Sequence, residues 1–188
     1  MDQYVLFAKS AVENYIKEGK IIEPLKGLPD EFFQRRAGTF VTIMKNGNLR
    51  GCVGTYLPTR PTIAEEIVRN AIAAATEDYR FGKIQAKELS SLAYTVYILS
   101  EPELIKEISE LNPEKYGIII KTTPIASPDG TDVVFNGHLP HKSGLLLPDL
   151  EGIDTIEQQI SIACQKGGIN PVKEKIIIYK FTVEKYVQ

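Results

Sequence analysis

A two-residue turn between two strand-like segments is the feature that most constrains the fold of this chain. Asn46-Gly47 suits a type I′ turn, because both central residues of that turn need a positive φ angle. Residues 39–45 and 49–56 on either side carry the apolar and β-branched residues typical of strands. Counting outward from the turn pairs the following residues across a β-hairpin: Lys45 with Asn48, Met44 with Leu49, Ile43 with Arg50, Val41 with Cys52, and Thr39 with Gly54.

The returning strand carries one of the two cysteines of the chain beside an arginine. Side chains alternate faces along a strand, so Arg50 and Cys52 are predicted to share a face, with α carbons about 6–7 Å apart. A guanidinium near a thiol favours the reactive thiolate and lowers the thiol pKa. Cys52 is therefore a candidate catalytic nucleophile and Arg50 a candidate anion binder. Gly51 and Gly54 leave room for a ligand to approach the backbone and are candidate ligand-binding positions.

A purely structural role explains the same residues. A free cysteine is often a small buried hydrophobe, and glycine in a strand often marks a bulge or tight packing. Both faces of the hairpin carry apolar residues, which indicates that both faces are covered. We therefore expect Cys52 in a partly covered cleft, as either a core thiol or a shielded reactive one.

The composition is that of an ordinary globular protein, with 188 residues, 43% apolar and 24% charged. No apolar run approaches the roughly 20 residues of a membrane helix, and the N-terminus lacks the pattern of a secretory signal. Two cysteines far apart in sequence fit a reducing compartment, so a cytoplasmic location is expected. A net charge of −2 and a pI of about 5.8 give no sign of a nucleic-acid-binding surface.

Helices and strands alternate along the chain, which predicts an α/β (α+β) fold with mainly antiparallel sheet and packed helices. Helical spacing of apolar residues indicates helices at residues 4–18, 62–75 and 154–166. Further strands are predicted at residues 92–99, 116–121, 132–135, 144–147 and 176–187. Between the first helix and the hairpin, residues 20–37 are predicted to form a loop that Phe32 and Phe33 anchor onto the core.

Cys164 is predicted to be a packing residue. It shares the apolar side of the last helix with Ile156, Ile160 and Ala163 at three- and four-residue spacing. The two histidines, His138 and His141, have no nearby cysteine to complete a zinc pattern, so no metal site is predicted. Neither a phosphate-binding glycine loop nor a Gly-x-Ser-x-Gly nucleophile motif is present.

Several segments, in order, resemble the AMMECR family, whose prokaryotic members are called AmmeMemoRadiSam system protein A. Leu49-Arg50-Gly51-Cys52-Val53-Gly54-Thr55 resembles the hallmark motif of that family. The other matching segments are residues 7–13, 38–43, 70–75, 78–81, 143–148 and 164–169. The chain departs from the family pattern at Tyr79 and at Gly82-Lys83, which replace prolines, and at Gly167, where alanine is usual.

The resemblance implies one AMMECR-like domain over residues 1–188, arranged as a larger and a smaller lobe. It also implies that Asp78 and Arg80 line the same cleft as Arg50, as candidate ligand-binding residues; ordinary loop charges are the alternative. It names no cofactor and no settled activity, so whether the protein is an enzyme stays open.

Two functions from different classes follow. One is the binding or conversion of a small anionic or nucleotide-like ligand in a cleft around residues 49–54, with Cys52 as the nucleophile and Arg50 as the anion binder. The other is a non-catalytic adaptor that works with Memo-type and radical S-adenosylmethionine proteins, as the family name implies.

Overall fold

The computed structural model describes residues 2–23, 28–123 and 141–188. Contacts divide the chain into two compact units: a first unit of Met1–Glu101 with Glu184–Gln188, and a second unit of Pro102–Val183. The strand predicted at residues 132–135 lies outside the described residues, as does His138.

The helices and strands confirm the predicted α/β (α+β) class, with two antiparallel sheets and packed helices. In chain order they are α1 (Gln3–Glu18), α2 (Glu31–Gln34), β1 (Thr39–Lys45), β2 (Asn48–Gly54), α3 (Ile63–Thr76), β3 (Leu92–Leu99), β4 (Glu103–Leu104), β5 (Gly117–Thr122), β6 (Ser143–Leu146), α4 (Ile156–Lys166), β7 (Ile176–Phe181) and β8 (Val183–Val187). Short 3₁₀ helices cover Ala86–Ser91 and Ile108–Glu110. In the described residues, no helix is both long and apolar enough to cross a bilayer.

The first unit contains a four-stranded sheet in the order β2-β1-β3-β8, with α1 and α3 packed against it. Helix α1 is capped at its C-terminus by Gly19, which adopts the left-handed conformation with φ 69°. The apolar stripe predicted on α3 is buried in the core: Ile63, Ile67, Val68, Ala71, Ile72 and Ala75. Of the Phe32-Phe33 pair, only Phe32 anchors the preceding loop, because Phe33 is 43% exposed.

The hairpin turn forms as predicted, with Asn46 at φ 51° and Gly47 at φ 79°. The predicted register is correct only next to the turn, where Lys45 pairs with Asn48 and Met44 with Leu49. A β-bulge follows, and Arg50 is the extra residue on β2. The observed pairs beyond it are Ile43 with Gly51, Thr42 with Cys52, Val41 with Val53, and Phe40 with Gly54.

The bulge therefore makes three predicted pairs wrong. Ile43 lies opposite Gly51 and not Arg50. Cys52 lies opposite Thr42 and not Val41, and Gly54 lies opposite Phe40 and not Thr39. The physical reason is that one extra residue on a strand shifts every later pair by one position.

The backbone of helix α3 lies very close to β2 at Gly51. A Cβ atom at this position would overlap the carbonyl oxygen of Ala74 on the helix. Gly51 is buried and lies opposite Ile43, a core residue of β1. The glycine therefore lets a helix backbone rest directly on the sheet.

The second unit has a sheet in the order β4-β7-β5-β6, with α4 packed on it. Cys164 is 2% exposed and lies in the core of this unit, as the helical spacing predicts. The single final strand predicted at residues 176–187 is wrong: β7 ends at Phe181 and belongs to this sheet, whereas β8 belongs to the first. The apolar alternation continues across Thr182, so the pattern carried no sign of the break.

Replacing Gly51 by alanine should lower the free energy of unfolding by about 1–3 kcal/mol, because the new methyl group must displace the helix backbone. Urea denaturation of the purified protein measures this change. Gly82→Ala is the matched control, since a Cβ there has no heavy atom within 4 Å, and it should change stability by less than about 0.5 kcal/mol. Equal effects of the two substitutions would contradict the close approach.

Candidate functional site

Cys52 lies in the middle of β2 and is partly exposed. Its sulfur accepts a hydrogen bond from the hydroxyl of Thr42, at 3.2 Å, across the hairpin. Neither cysteine of the chain forms a disulfide. The strand that neighbours β2 in the sheet is β1, so the other side of β2 is a sheet edge.

Asp78 and Arg80 cover that edge at Cys52. The backbone N–H of Cys52 donates to Oδ2 of Asp78 at 2.9 Å. The guanidinium of Arg80 binds the same carboxylate through Nε to Oδ1 at 2.9 Å and through Nη2 to Oδ2 at 2.7 Å. Nη2 also lies 3.5 Å from the carbonyl oxygen of Cys52. Asp78 and Arg80 thus occupy the position beside β2 where a neighbouring strand would otherwise pair with Cys52.

The Asp78 carboxylate is almost fully buried, with its side chain 4% exposed. The hydrogen bonds from Arg80, with those from backbone N–H groups, lower the pKa of Asp78 to about 2 against the opposing effect of burial. A lowered pKa means that the ionised carboxylate stabilises the fold above about pH 4, the ordinary aspartate range, and that this contribution is lost as the pH falls towards 2.

The guanidinium of Arg50 binds a carboxylate and a backbone carbonyl oxygen. Its Nε and Nη2 donate to the carboxylate of Glu88, both at 3.1 Å, and its Nη1 donates to the carbonyl oxygen of Gly82 at 2.8 Å. Lys45 donates to the same carboxylate at 2.9 Å. Hydrogen bonds from Arg50 first, then from the backbone N–H of Gln85 and from Lys45, lower the pKa of Glu88 to about 2. The predicted shared face of Arg50 and Cys52 depended on a pairing of Arg50 with Ile43. That pairing is wrong, because Arg50 is the extra residue of the bulge.

The residues around the hairpin and the loop after α3 carry an excess of positive charge. Residues 45–54 and 78–88 hold five basic side chains and two carboxylates, although the whole chain has a net charge of −2. Lys83 and Lys87 are exposed, and the ammonium group of neither makes a hydrogen bond or ion pair to any described residue. The arrangement can attract and hold an anion.

Comparison with known proteins decides the family. The AMMECR1 family model matches residues 5–186. A protein of Thermotoga maritima is 49% identical over 184 residues, which cover 97% of this chain and 96% of the relative. The crystal structure of an uncharacterised protein of Pyrococcus horikoshii matches with a TM-score of 0.82 and 30% identity, over 97% of this chain and 88% of the other.

The chain belongs to the AMMECR1 family. The match spans both units of the fold and so confirms the resemblance carried by the hallmark motif. A relative from Clostridium acetobutylicum is 36% identical over 187 residues, and the match covers 99% of this chain but only 35% of that longer protein.

The glycines of the AMMECR1 motif have packing roles. The carbonyl oxygen of Ala74 occupies the space beside Gly51, and Phe40 with the carbonyl oxygen of Thr39 occupies the space beside Gly54. The protein itself therefore fills the positions where the sequence suggested that a ligand could approach. Ligand binding at these two glycines stays a prediction.

A buried carboxylate of the AMMECR1 chain was missed by sequence reasoning. Glu66 on α3 is 0% exposed and accepts hydrogen bonds from Thr55, Thr59 and the backbone N–H of Arg60. Asn70, one turn later, donates to the carbonyl and hydroxyl oxygens of Thr39. The helical spacing of Glu66 and Asn70, within the apolar stripe of α3, was a signal that could have found them.

A groove of about 480 Å³ lies elsewhere in the first unit, between α1 and α3. Its lining includes Tyr15, Ile22, Val68 and Ile72, and none of the motif residues. Residues 24–27, which follow Ile22 closely in the chain, are not described. The hydrogen-bonded residues around Cys52, and not this groove, therefore form the candidate functional site.

Among the described residues, no group of three metal-ligating side chains comes together.

Removing the carboxylate of Asp78, which covers the edge of β2, should destabilise the AMMECR1 fold. Asp78→Ala leaves the N–H of Cys52 and the Arg80 guanidinium without their acceptor, so we expect a loss of about 1–3 kcal/mol in the free energy of unfolding. Glu77→Ala is the matched control, because Glu77 is exposed and pairs with the exposed Arg69. It should cost less than about 1 kcal/mol.

Urea denaturation measures both variants. Light scattering should also show more self-association for Asp78→Ala, since an uncovered strand edge can pair with another chain. Equal stability losses and no added self-association would show that Asp78 does not protect the edge.

Proposed function

We propose that this AMMECR1 protein binds a small anionic ligand at the surface formed by Arg80, Lys83 and Lys87. The observation that carries the proposal is that the guanidinium of Arg80 is held in place by Asp78 and is still exposed to solvent. Two of its nitrogens are fixed by Asp78, its side chain is 44% exposed, and its Nη1 donates to no described residue. A guanidinium fixed in this way loses little conformational freedom when an anion binds.

The charge distribution supports an anionic ligand. Arg80 and Arg50 are neutralised by Asp78 and Glu88, respectively, whereas Lys83 and Lys87 have no carboxylate partner among the described residues. A phosphate or carboxylate group would supply the missing acceptors. All three side-chain nitrogens of Arg50 donate hydrogen bonds to Glu88 or Gly82. In this proposal Arg80 therefore takes the anion-binding role.

Isothermal titration calorimetry with inorganic pyrophosphate tests the proposal. Arg80→Ala should weaken binding about tenfold or more, because a hydrogen bond between charged groups contributes about 1.5–3 kcal/mol. Arg69→Ala is the matched control: its side chain is 41% exposed and paired with Glu77, and it should leave the affinity unchanged. Binding should also weaken as salt rises.

Arg80→Ala removes a partner of buried Asp78, so a second variant guards against a folding defect. Lys83→Ala with Lys87→Ala alters only exposed side chains without described partners and should also weaken binding. Unchanged affinity in that folded double variant would contradict the proposed surface. If no anion binds and a purified Memo-type protein stabilises the chain instead, the adaptor function that the family name implies is the better proposal.

Thiol chemistry at Cys52 is the second candidate function. The contact from the Thr42 hydroxyl favours it, because a donor to sulfur stabilises the thiolate relative to the thiol. The thiol is also partly exposed, as a reactive cysteine requires. In this candidate function Cys52 is the nucleophile, and the nearby positive charge holds an anionic substrate.

The rate of alkylation of Cys52 across pH tests that candidate. Thr42→Val should slow alkylation near neutral pH, because it removes the hydroxyl donor and keeps the shape of the side chain. Arg50→Ala should leave the pH profile unchanged, since Arg50 binds Glu88 and Gly82. A Cys52 that reacts more slowly than a model thiol, with no effect of Thr42→Val, would remove Cys52 as a nucleophile.

A further inference from the structure

The most exposed large side chain of the loop after α3 is a tyrosine held between two fixed residues. Tyr79 is 96% exposed, whereas its neighbour Asp78 is 7% exposed. The carbonyl oxygen of Asp78 accepts from the N–H of Phe81 at 3.0 Å, which closes a turn with Tyr79 and Arg80 at its centre. The backbone N–H of Arg80 also donates to Oδ1 of Asp78, at 3.2 Å.

This turn fixes the position from which the ring projects. Asp78 is tied to β2 through the N–H of Cys52, so the turn is anchored to the sheet. Adjacent α carbons lie about 3.8 Å apart, so the side chains of Tyr79 and Arg80 project from neighbouring points of the turn. An aromatic ring in water beside a fixed cation has its apolar faces available for stacking.

We propose that the anionic ligand of this surface also carries a flat aromatic ring, as a nucleoside diphosphate does, and that the ring stacks on Tyr79. The inference rests on the proposed anion binding and adds the class of ligand. In this arrangement the phosphates bind Nη1 of Arg80 and the ammonium group of Lys83, while the base covers the Tyr79 ring. No bond is made or broken.

The available chemistry selects a stacking ligand. Every nucleobase has a π face, so stacking needs no matched set of donors and acceptors, and it contributes about 1–3 kcal/mol per base. A ligand without a ring would make no stacking contact with the exposed Tyr79.

Calorimetric titration with adenosine diphosphate and with inorganic pyrophosphate tests the inference. The wild type should bind adenosine diphosphate at least about fivefold more tightly than pyrophosphate, as stacking of this size implies. Tyr79→Ala should abolish that difference and leave pyrophosphate binding unchanged. Tyr79→Phe should keep it, because the phenyl ring retains a π face. Phe33→Ala, at another exposed aromatic residue, is the control and should change neither affinity.

The outcomes separate this inference from the proposed function. If pyrophosphate binds and adenosine diphosphate gains nothing, the stacking subsite is wrong and anion binding stands. A gain for adenosine diphosphate that survives Tyr79→Ala also overturns it, because the base then binds elsewhere. If neither compound binds the folded wild-type protein, both proposals fail.

Discussion

One carboxylate, that of Asp78, connects the edge of the first sheet to the loop after α3. It accepts hydrogen bonds from the N–H of Cys52 on the strand and from three donors of Arg80 in the loop, namely its backbone N–H, Nε and Nη2. Since a buried ion costs free energy unless it is fully hydrogen-bonded, these donors must all be present together. Strand edge, turn and exposed guanidinium therefore form as one arrangement.

The bulge at Arg50 divides the hallmark motif between two tasks. Arg50 turns to Glu88 and Gly82 and so ties the strand to the segment before β3, whereas Cys52 stays in the strand beside Thr42. Gly51, between them, admits the helix backbone. The arginine, the glycine and the cysteine of the motif thus each contact a different structural element.

The sequence determines the local elements better than their pairing. The Asn46-Gly47 turn, the α3 stripe and the burial of Cys164 followed from short-range patterns, and each formed as expected. The register beyond Leu49 did not, because a bulge changes the pairing without disturbing the apolar pattern. The site shows the same limit. Asp78 and Arg80 could be named as candidates, but their hydrogen bonds to the Cys52 backbone depend on a contact between distant segments.

The last strand has a consequence for the order of folding. The chain leaves the first unit after Glu101 and re-enters it at Glu184, where β8 joins β3. Glu184 then pairs with Arg35, and the Tyr186 ring packs 4.6 Å from that of Tyr4. During synthesis, three strands of this sheet are complete long before the fourth exists. The N-terminal region must therefore wait, with one side of β3 unpaired, until the whole intervening segment has left the ribosome.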